Sequence, residues 1–436
     1  MAVPFLRPAL QDRLRRTVKG EVAFDAASRG RYATDASFYQ IMPVGVVTPR
    51  DWEDVEAALT VAREAGISVL PRGGGTSQSG QTVNESLVLD TAKYLDRVIS
   101  VDADKKRCVV EPGVVLDELN RVLKPHGLWF PVDVSTASRA TIGGMAGNNS
   151  CGTRSIRYGT MRDNVIAIDA ILANGEAAHF GAVDRASTMR NVKGPNDGLF
   201  QDLLALGGRE ADEIDARFPR VLRRVGGYNI DALVPKGQHN NLAHLLVGSE
   251  GTLALSTKLE LKLSPLLKTR VVGVCHFARF YDAMDAAQHI VKLDPVSVEL
   301  VDRTMIGLAR DIPIFRATVE RFVQGEPDAL LLVEFAEADQ EENRRRLKRL
   351  EALIGDLGFG WDRTGRHWGG VVPIEDPALQ AAITDVRQSG LNIMMSMKSA
   401  GKPVSFVEDC AVPLEHLAAF TDRLTQVFEK HGTRGT

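Results

Sequence analysis

Residues 70–80 read LPRGGGTSQSG, three consecutive glycines after a Pro-Arg pair, with Thr76, Ser77 and Ser79 crowding behind them. Glycine inside a strand or helix weakens it, so a triplet marks backbone that bends sharply or is approached closely. The preceding stretch, DWEDVEAALTVAREAGISV, sets where this happens. Asp51 stands where a helix cap belongs, Val55, Ala58, Leu59 and Ala62 share one face, and Gly66 is placed to end the helix. Ile67–Leu70 then reads as a short buried strand that runs straight into the glycines. Such a loop at a strand end exposes consecutive N–H groups, a concavity suited to anionic oxygen, and the hydroxyl side chains add donors.

Two nucleotide fingerprints do not fit this loop. No GxxxxGK[ST] occurs, which argues against a P-loop NTPase. Counted from Gly73, GxGxxG needs a glycine where Gln78 stands, which argues against a Rossmann site. A second cluster decides the matter. Residues 131–160 read PVDVSTASRATIGGMAGNNSCGTRSIRYGT, with glycines at 143, 144, 147 and 152 beside Asn148, Asn149 and Ser150. Two such loops in one domain suit a ligand with a diphosphate and a long polar tail better than a mononucleotide. They also suit it better than two unrelated surface loops would.

Composition sets the outer bounds. At 436 residues the chain is too long for one ordinary core. Hydrophobic residues make up 44% and charged residues 25%, the balance of a globular protein. A net charge of −3 favours neither nucleic acid nor an anionic membrane. No apolar run approaches the roughly 18 residues of a membrane span, and MAVPFLRPALQDRLRRTVKG lacks the apolar core of a secretory signal. Cys108, Cys151, Cys275 and Cys410 are scattered without a CxxC pair, against a zinc site, an iron–sulfur cluster or a disulfide scaffold. Cytoplasmic residence is the expectation.

Outward from the first loop the texture is mixed. SLVLD, RVISVD and RCVVEPG read as strands, residues 114–124 as a helix, and NVIAIDAILANGEAAHF as a hairpin turning at Asn174-Gly175. LALSTKLELKLSP alternates apolar and polar residues and ends at Pro265. Beyond it, TRVVGVCHF, a helix near residues 282–292, PVSVELVD, ALLLVEFA, the charged helix EENRRRLKRLEALIGDLG, PALQAAITDVRQSG and PVSFVEDCAVP alternate strand and helix. The fold class is α+β. Three parts are expected: an N-terminal helical segment (1–34), a cofactor domain (35–265), and a domain (266–436) with an antiparallel sheet and helices on one face.

PRGGGTSQSG, PVDVSTASRATIGGMAGNNSCG, RYG and VGSEGTLA, in that order, resemble the FAD-binding domain of the vanillyl-alcohol-oxidase and p-cresol-methylhydroxylase superfamily. The likeness covers most of residues 31–265 and is strongest to the bacterial FAD-linked 2-hydroxyacid dehydrogenases, the glycolate oxidase, D-lactate dehydrogenase and D-2-hydroxyglutarate dehydrogenase group. It implies a two-subdomain FAD-binding domain followed by a cap domain. It implies that Pro71, Arg72, Gly73, Gly74, Gly75, Thr76, Ser77, Ser79 and Gly80 cradle the FAD diphosphate. Pro131, Asp133, Thr141, Ile142, Gly143, Gly144, Gly147, Asn148, Asn149, Ser150 and Gly152 would line the diphosphate, ribityl chain and flavin. Tyr158 and Gly159 of RYG join that set, Ile166 would lie near the adenine, and Glu250-Gly251 would close the site. Some members tether flavin through a histidine in or near the first loop. Here that loop holds Gln78 and Ser79, so dissociable FAD is expected, with Cys151 packing against the flavin rather than bonding to it.

The resemblance implies oxidation of a 2-hydroxy acid (D-lactate, glycolate or D-2-hydroxyglutarate class), its hydride passing from C2 to the flavin. A substrate carboxylate calls for Arg or Lys. Arg387 sits where the family has a substrate-binding arginine, and Lys398 and Lys402 are weaker candidates, more readily read as solvated. His367 and Glu408-Asp409 are minor candidates, and no catalytic base is assigned. No second redox centre is encoded, so electrons would leave to a quinone, a cytochrome or an iron–sulfur partner protein, with peripheral placement at the inner membrane through that acceptor. No metal site is read. Relatives continue past a helix like HLAAFTDRLTQVFEKHGTRGT into a segment whose histidines bind a divalent metal, so a metal is expected only if that segment is supplied. The expectation is then a truncated chain, a split gene or a subunit completed by another chain. Two other readings stand: a flavin-binding module without turnover, and a same-fold enzyme acting on another alcohol or a nucleotide sugar.

Overall fold

The computed structural model describes residues 3–190, 196–237, 239–395, 404 and 410–435. The chain divides into two units. The first comprises Met1–Gly152, Tyr158–Pro219 and Arg224–Leu266; the second comprises Thr153–Arg157, Arg220–Arg223 and Leu267–Thr436.

The first unit opens with helix α1 (Val3–Thr17) and a sheet of β1 (Glu21–Ala23), β2 (Gly45–Thr48), β3 (Val69–Arg72) and β4 (Leu87–Asp90), in spatial order β1-β2-β4-β3. β2 and β3 both run parallel to β4, and α2 (Trp52–Glu64) connects them. α2 forms on local grounds. Asp51 accepts from the Asp54 N–H at 3.0 Å, and Gly66 takes a φ of +66° past its end. Its buried stripe of Val55, Ala58, Val61 and Ala62 packs with Val47, Leu87 and Leu89 of the sheet and Leu10 and Leu14 of α1. Residues 1–34, expected as a segment apart, thus belong to this unit: β1 pairs with β2 and α1 closes the core. β3 begins later and reaches further than the expected 67–70 strand, through Pro71 to Arg72. It is an edge strand, where proline is tolerated. The glycines therefore start at the carboxyl end of a parallel strand, where open α/β sheets hold their ligands.

A second, antiparallel sheet contains β5 (Val98–Asp102), β6 (Arg107–Val110), β7 (Val165–Leu172), β8 (Ala177–Phe180) and β9 (Ala254–Lys262), ordered β5-β6-β9-β7-β8. β7 and β8 form the hairpin at Asn174-Gly175, with Gly175 at φ +90°. One face buries Val110, Ile168 and Leu259 with α3 (Leu116–Leu123) and α4 (Ile142–Asn148). α4 is the helix inside the second glycine cluster.

The second unit has one sheet of β10 (Val271–Phe277), β11 (Ser297–Asp302), β12 (Ala329–Phe335) and β13 (Gly369–Ile374), all antiparallel, ordered β11-β12-β10-β13. The α+β class holds, but the expectation of helices on one face is corrected: they cover both. Cys275, Phe277, Leu331 and Val333 pack with α5 (Phe280–Ile290) and α8 (Gln340–Asp356). The alternate residues Val272, Val274, Leu330 and Leu332 pack with α6 (Arg303–Asp311), α7 (Pro313–Phe322) and α9 (Pro377–Gln388). A sheet wet on one face alternates; VVGVCHF and ALLLVEF are continuous apolar runs because neither face is wet. The strand expected in PVSFVEDCAVP falls largely outside the described residues.

Candidate functional site

At the end of β3 the Arg72 side chain turns back beneath the loop. Its buried guanidinium donates from Nη1 to the carbonyls of Tyr32 (3.0 Å) and Thr82 (2.9 Å), and from Nη2 to that of Thr34 (2.7 Å). Cζ lies 5.3 Å from the Tyr32 ring centroid. Burial lowers the Arg72 pKa, with Asp35 acting against it. A Cβ on Gly73 would overlap the Thr141 side chain, and one on Gly74 the carbonyl of Arg139. What approaches these two glycines is the second loop. Gly75 (φ +63°) and Gly80 (φ +81°) take left-handed backbone, and a Cβ there would stand 2.5 Å from Arg72 Nη2 and 2.6 Å from the Tyr39 ring. Ser77 hydrogen-bonds Gln81, Ser79 is exposed and Thr76 half-buried.

Thr141 caps α4, its Oγ1 accepting from the Gly144 N–H at 3.3 Å. Ile142 enters the core and Gly143 lies against Pro112. Gly144 and Gly147 differ: a Cβ on Gly144 would meet only Thr141 Oγ1, at 3.2 Å, and one on Gly147 only Glu250 Cα, at 3.9 Å. α4 thus turns a bare backbone face to open space. It ends at Asn149 (φ +55°), whose Oδ1 accepts from Thr160 Oγ1 (3.1 Å) and the Arg162 N–H (3.0 Å). Asn149 is 1% exposed, and its Nδ2 has no hydrogen-bond partner. A buried donor left so costs about 1–3 kcal/mol, recoverable by a group that brings an acceptor. Ser150 donates to Asn148, and Gly152 abuts Asp133 so closely that no Cβ fits.

VGSEG (247–251) runs along α4, the Gly248 N–H donating to Ala146 O and the Glu250 N–H to Gly147 O, each at 2.9 Å. Glu250 is left-handed (φ +52°), and a Cβ on Gly251 (φ +70°) would stand 3.7 Å from Pro71. Asn148 Nδ2 donates to Glu250 Oε1 at 3.1 Å. Burial raises the Glu250 pKa against hydrogen bonds from Asn148 and Gln81. Residues 71–81, 139–152 and 247–251 therefore meet in one place within the first unit.

The other expected residues have local neighbours of their own. Pro131 is buried, Tyr158 packs edge-on to Trp129 with ring centroids 5.5 Å apart, and Gly159 (φ +77°) sits against Asp163. The Ile166 carbonyl accepts from Asn241 Nδ2 at 3.0 Å. In the second unit, Arg387 in the last turn of α9 ion-pairs with Glu299 of β11, and His367 is exposed. Lys398, Lys402, Glu408 and Asp409 lie outside the described residues. Sequence reasoning missed one cluster. Asp231 pairs with Arg162 (2.9 Å) and Arg224 (2.7 Å), and Asn229 donates to the Val247 carbonyl at 2.7 Å while accepting from both arginines at 3.2 Å. This cluster fastens VGSEG to the residues that hold Asn149. Its signal was RRVGGYNID (223–231), a glycine pair between charged residues.

Comparison with known proteins shows which kind of domain contains most of this cradle. Residues 43–181 match the family described as FAD binding domain, and residues 266–436 match FAD linked oxidases, C-terminal domain. The chain thus carries sequence similar to both the FAD-binding and the C-terminal domain of FAD linked oxidases. It is 32% identical to a D-2-hydroxyglutarate dehydrogenase of Pantoea ananatis, over 95% of this chain and 41% of that one. It is 26% identical to a glycolate oxidase subunit of Bacillus subtilis (95% and 75%) and 29% identical to a D-lactate dehydrogenase of Archaeoglobus fulgidus (89% and 70%). The chain thus spans about two fifths of the length of D-2-hydroxyglutarate dehydrogenases such as the Pantoea enzyme. Among solved structures an alkyldihydroxyacetonephosphate synthase shares the fold, with TM-score 0.61 at 16% identity, over 88% of this chain and 65% of that one.

FAD is the cofactor, and the residues of this cradle fit it. The bare face at Gly144 and Gly147 leaves room beside the backbone, and the orphaned Asn149 amide offers a donor. Among the described residues no group of three or more His, Cys, Asp and Glu is placed to hold a metal, and no helix is long and apolar enough to cross a membrane.

Proposed function

We propose that this chain oxidises a small 2-hydroxy acid of the D-2-hydroxyglutarate, D-lactate or glycolate class with dissociable FAD and passes the electrons to a separate acceptor. The observation that carries this is the cradle itself, a bare helix face and an unpartnered buried amide enclosed by three contacts: loop on loop, VGSEG on α4, and Glu250 to Asn148. The names of the relatives from Pantoea, Bacillus and Archaeoglobus supply the substrate class. FAD, when bound, supplies the acceptor for the hydride leaving C2. The protein's part is to hold and orient. The Gly144–Gly147 face and the Asn149 amide hold the cofactor, and Glu250 ties α4 to the end of the first loop.

Arg387 is assigned to the substrate carboxylate. Its planar guanidinium carries five N–H donors, and the pair with Glu299 fixes its plane, the condition for two-pronged recognition of a second carboxylate. Lys398 and Lys402 remain candidates beside it. The acceptor is a quinone, cytochrome or iron–sulfur protein, with cytoplasmic residence or peripheral placement at a membrane through that acceptor.

The test is anaerobic addition of D-2-hydroxyglutarate, D-lactate and glycolate to the FAD-loaded chain. Bleaching of the flavin band by at least one is expected. A flavin that dithionite bleaches and none of the three acids does would overturn the assignment in favour of a flavin-binding module without turnover.

A further inference from the structure

We propose that Arg72 is a positioning residue that shapes the first cofactor loop from behind, with the strip Tyr32–Tyr39 as that loop's outer wall. This rests on FAD being held in the first unit. The family resemblance puts Arg72 among the groups that cradle the diphosphate; the geometry gives it other work. Three of its N–H donors are committed to main-chain carbonyls from two distant segments, Tyr32 and Thr34 on one side and Thr82 on the other. Arg72 opens the loop and Thr82 follows its end, so one guanidinium joins both ends of the loop to the strip.

Other contacts repeat the tie. Thr82 Oγ1 donates to Asp35 Oδ2 at 3.0 Å, and the Tyr32 hydroxyl donates to Asp90 Oδ2 at 2.5 Å. The Tyr39 ring fills the space a Cβ on Gly80 would need, and the guanidinium fills that of a Cβ on Gly75. A rigid planar fork satisfies three carbonyls in one geometry, whereas an ammonium group is a point charge on a flexible stem. The strip precedes residue 43, where the match to the FAD binding domain begins, so part of the site's shape is built outside it.

The experiment measures FAD affinity of the full chain by flavin fluorescence quenching, at low and high salt, for the wild type, Arg72→Ala and Arg72→Lys. Arg72→Ala is expected to bind FAD roughly tenfold or more weakly, from the loss of charged hydrogen bonds. It should keep the wild-type salt dependence, because no ion pair to phosphate has been lost, and added guanidinium ion should restore part of the affinity. Arg72→Lys, which keeps the charge without the fork, should also be weakened. Unchanged affinity in Arg72→Ala, wild-type affinity in Arg72→Lys, or a salt dependence that vanishes with the arginine would each overturn the proposal. Should Arg72→Ala fail to fold, Arg72→Lys and Thr82→Val, which cuts the tie to Asp35, carry the same reading. A wild-type chain that takes up no FAD would remove the cofactor itself, a result reached before any variant is made.

Discussion

Gly147→Ala separates space kept for a ligand from space kept for the protein. A Cβ at Gly147 would meet nothing of the chain closer than Glu250 Cα, at 3.9 Å, an ordinary contact distance, and Gly147 lies within α4. In the FAD-free chain alanine therefore adds no clash and removes glycine's backbone freedom, worth about 0.5–1 kcal/mol in favour of the variant. The apoprotein midpoint should hold or rise by about 1–3 °C. With FAD present the same methyl enters the face proposed for the cofactor, and overpacking there costs about 1–3 kcal/mol, roughly a 5- to 150-fold rise in Kd. Thermal denaturation of the apoprotein and flavin fluorescence titration read the two halves separately. An unchanged Kd would mean that FAD does not lie on this face of α4. A destabilised apoprotein would mean that the face is packed by the protein.

Gly74→Ala should behave in the opposite way: its Cβ overlaps the Arg139 carbonyl, so the two loops must part by about 1 Å, at about 1–3 kcal/mol, and both apoprotein stability and FAD affinity should fall. Wild-type apoprotein stability in that variant would remove the loop-to-loop contact. Asp231→Asn should cost about 1.5–3 kcal/mol at neutral pH by urea denaturation. Burial raises the Asp231 pKa, but the Arg162 and Arg224 guanidinium groups outweigh it and hold the carboxyl below the usual range. Its stabilisation is present above the ordinary aspartate pKa and lost as pH falls, so variant and wild type should converge in acid; a constant difference would refute the pairing. His276 is buried and neutral, donating from Nδ1 to Val274 O (2.9 Å) and accepting at Nε2 from the Gln324 N–H (3.0 Å), and burial pushes its pKa down to about 4. Its contribution is whole above the ordinary 6.5 and drains away toward pH 4, roughly 3 kcal/mol in all. His276→Gln should flatten that part of the pH–stability curve, and an equally steep curve would count against the assignment.

What sequence could reveal here was whatever is local. The Asp51 cap, the stripe of α2 and the stop at Gly66 are set by residues a turn apart, and the helix forms almost where they put it. The two-sided burial of β10 and β12 was also written in their unbroken apolar runs, although it was read as a sheet with one covered face. Residue type also marked most left-handed positions, such as Gly75, Gly80 and Asn149, since glycine and asparagine accept that backbone readily. Glu250 does the same with a residue that gives no such sign. The tie of Asp231 to Arg162, 69 residues away, could not be seen, because a charge pair far apart in sequence looks like two solvated side chains.

The triplet at 73–75 shows why the loop's partner was harder to read than the loop. Three glycines invite the inference that one ligand lies against all of them, yet each is excluded by a different group of the protein: the Thr141 side chain, the Arg139 carbonyl and the Arg72 guanidinium. Carbonyl partners leave no trace in residue type, so Arg72 read only as a phosphate ligand, with no sign that three of its donors go to Tyr32, Thr34 and Thr82. A loop braced in this way is ordered before the cofactor arrives. Its ordering, about 1–2 kcal/mol per residue of backbone entropy, is then charged to folding and not subtracted from FAD affinity. The groups that fold the loop leave the Asn149 amide unsatisfied and the Gly144–Gly147 face bare. On the proposed assignment it is at α4, more than at the triplet, that the cofactor has something left to contribute.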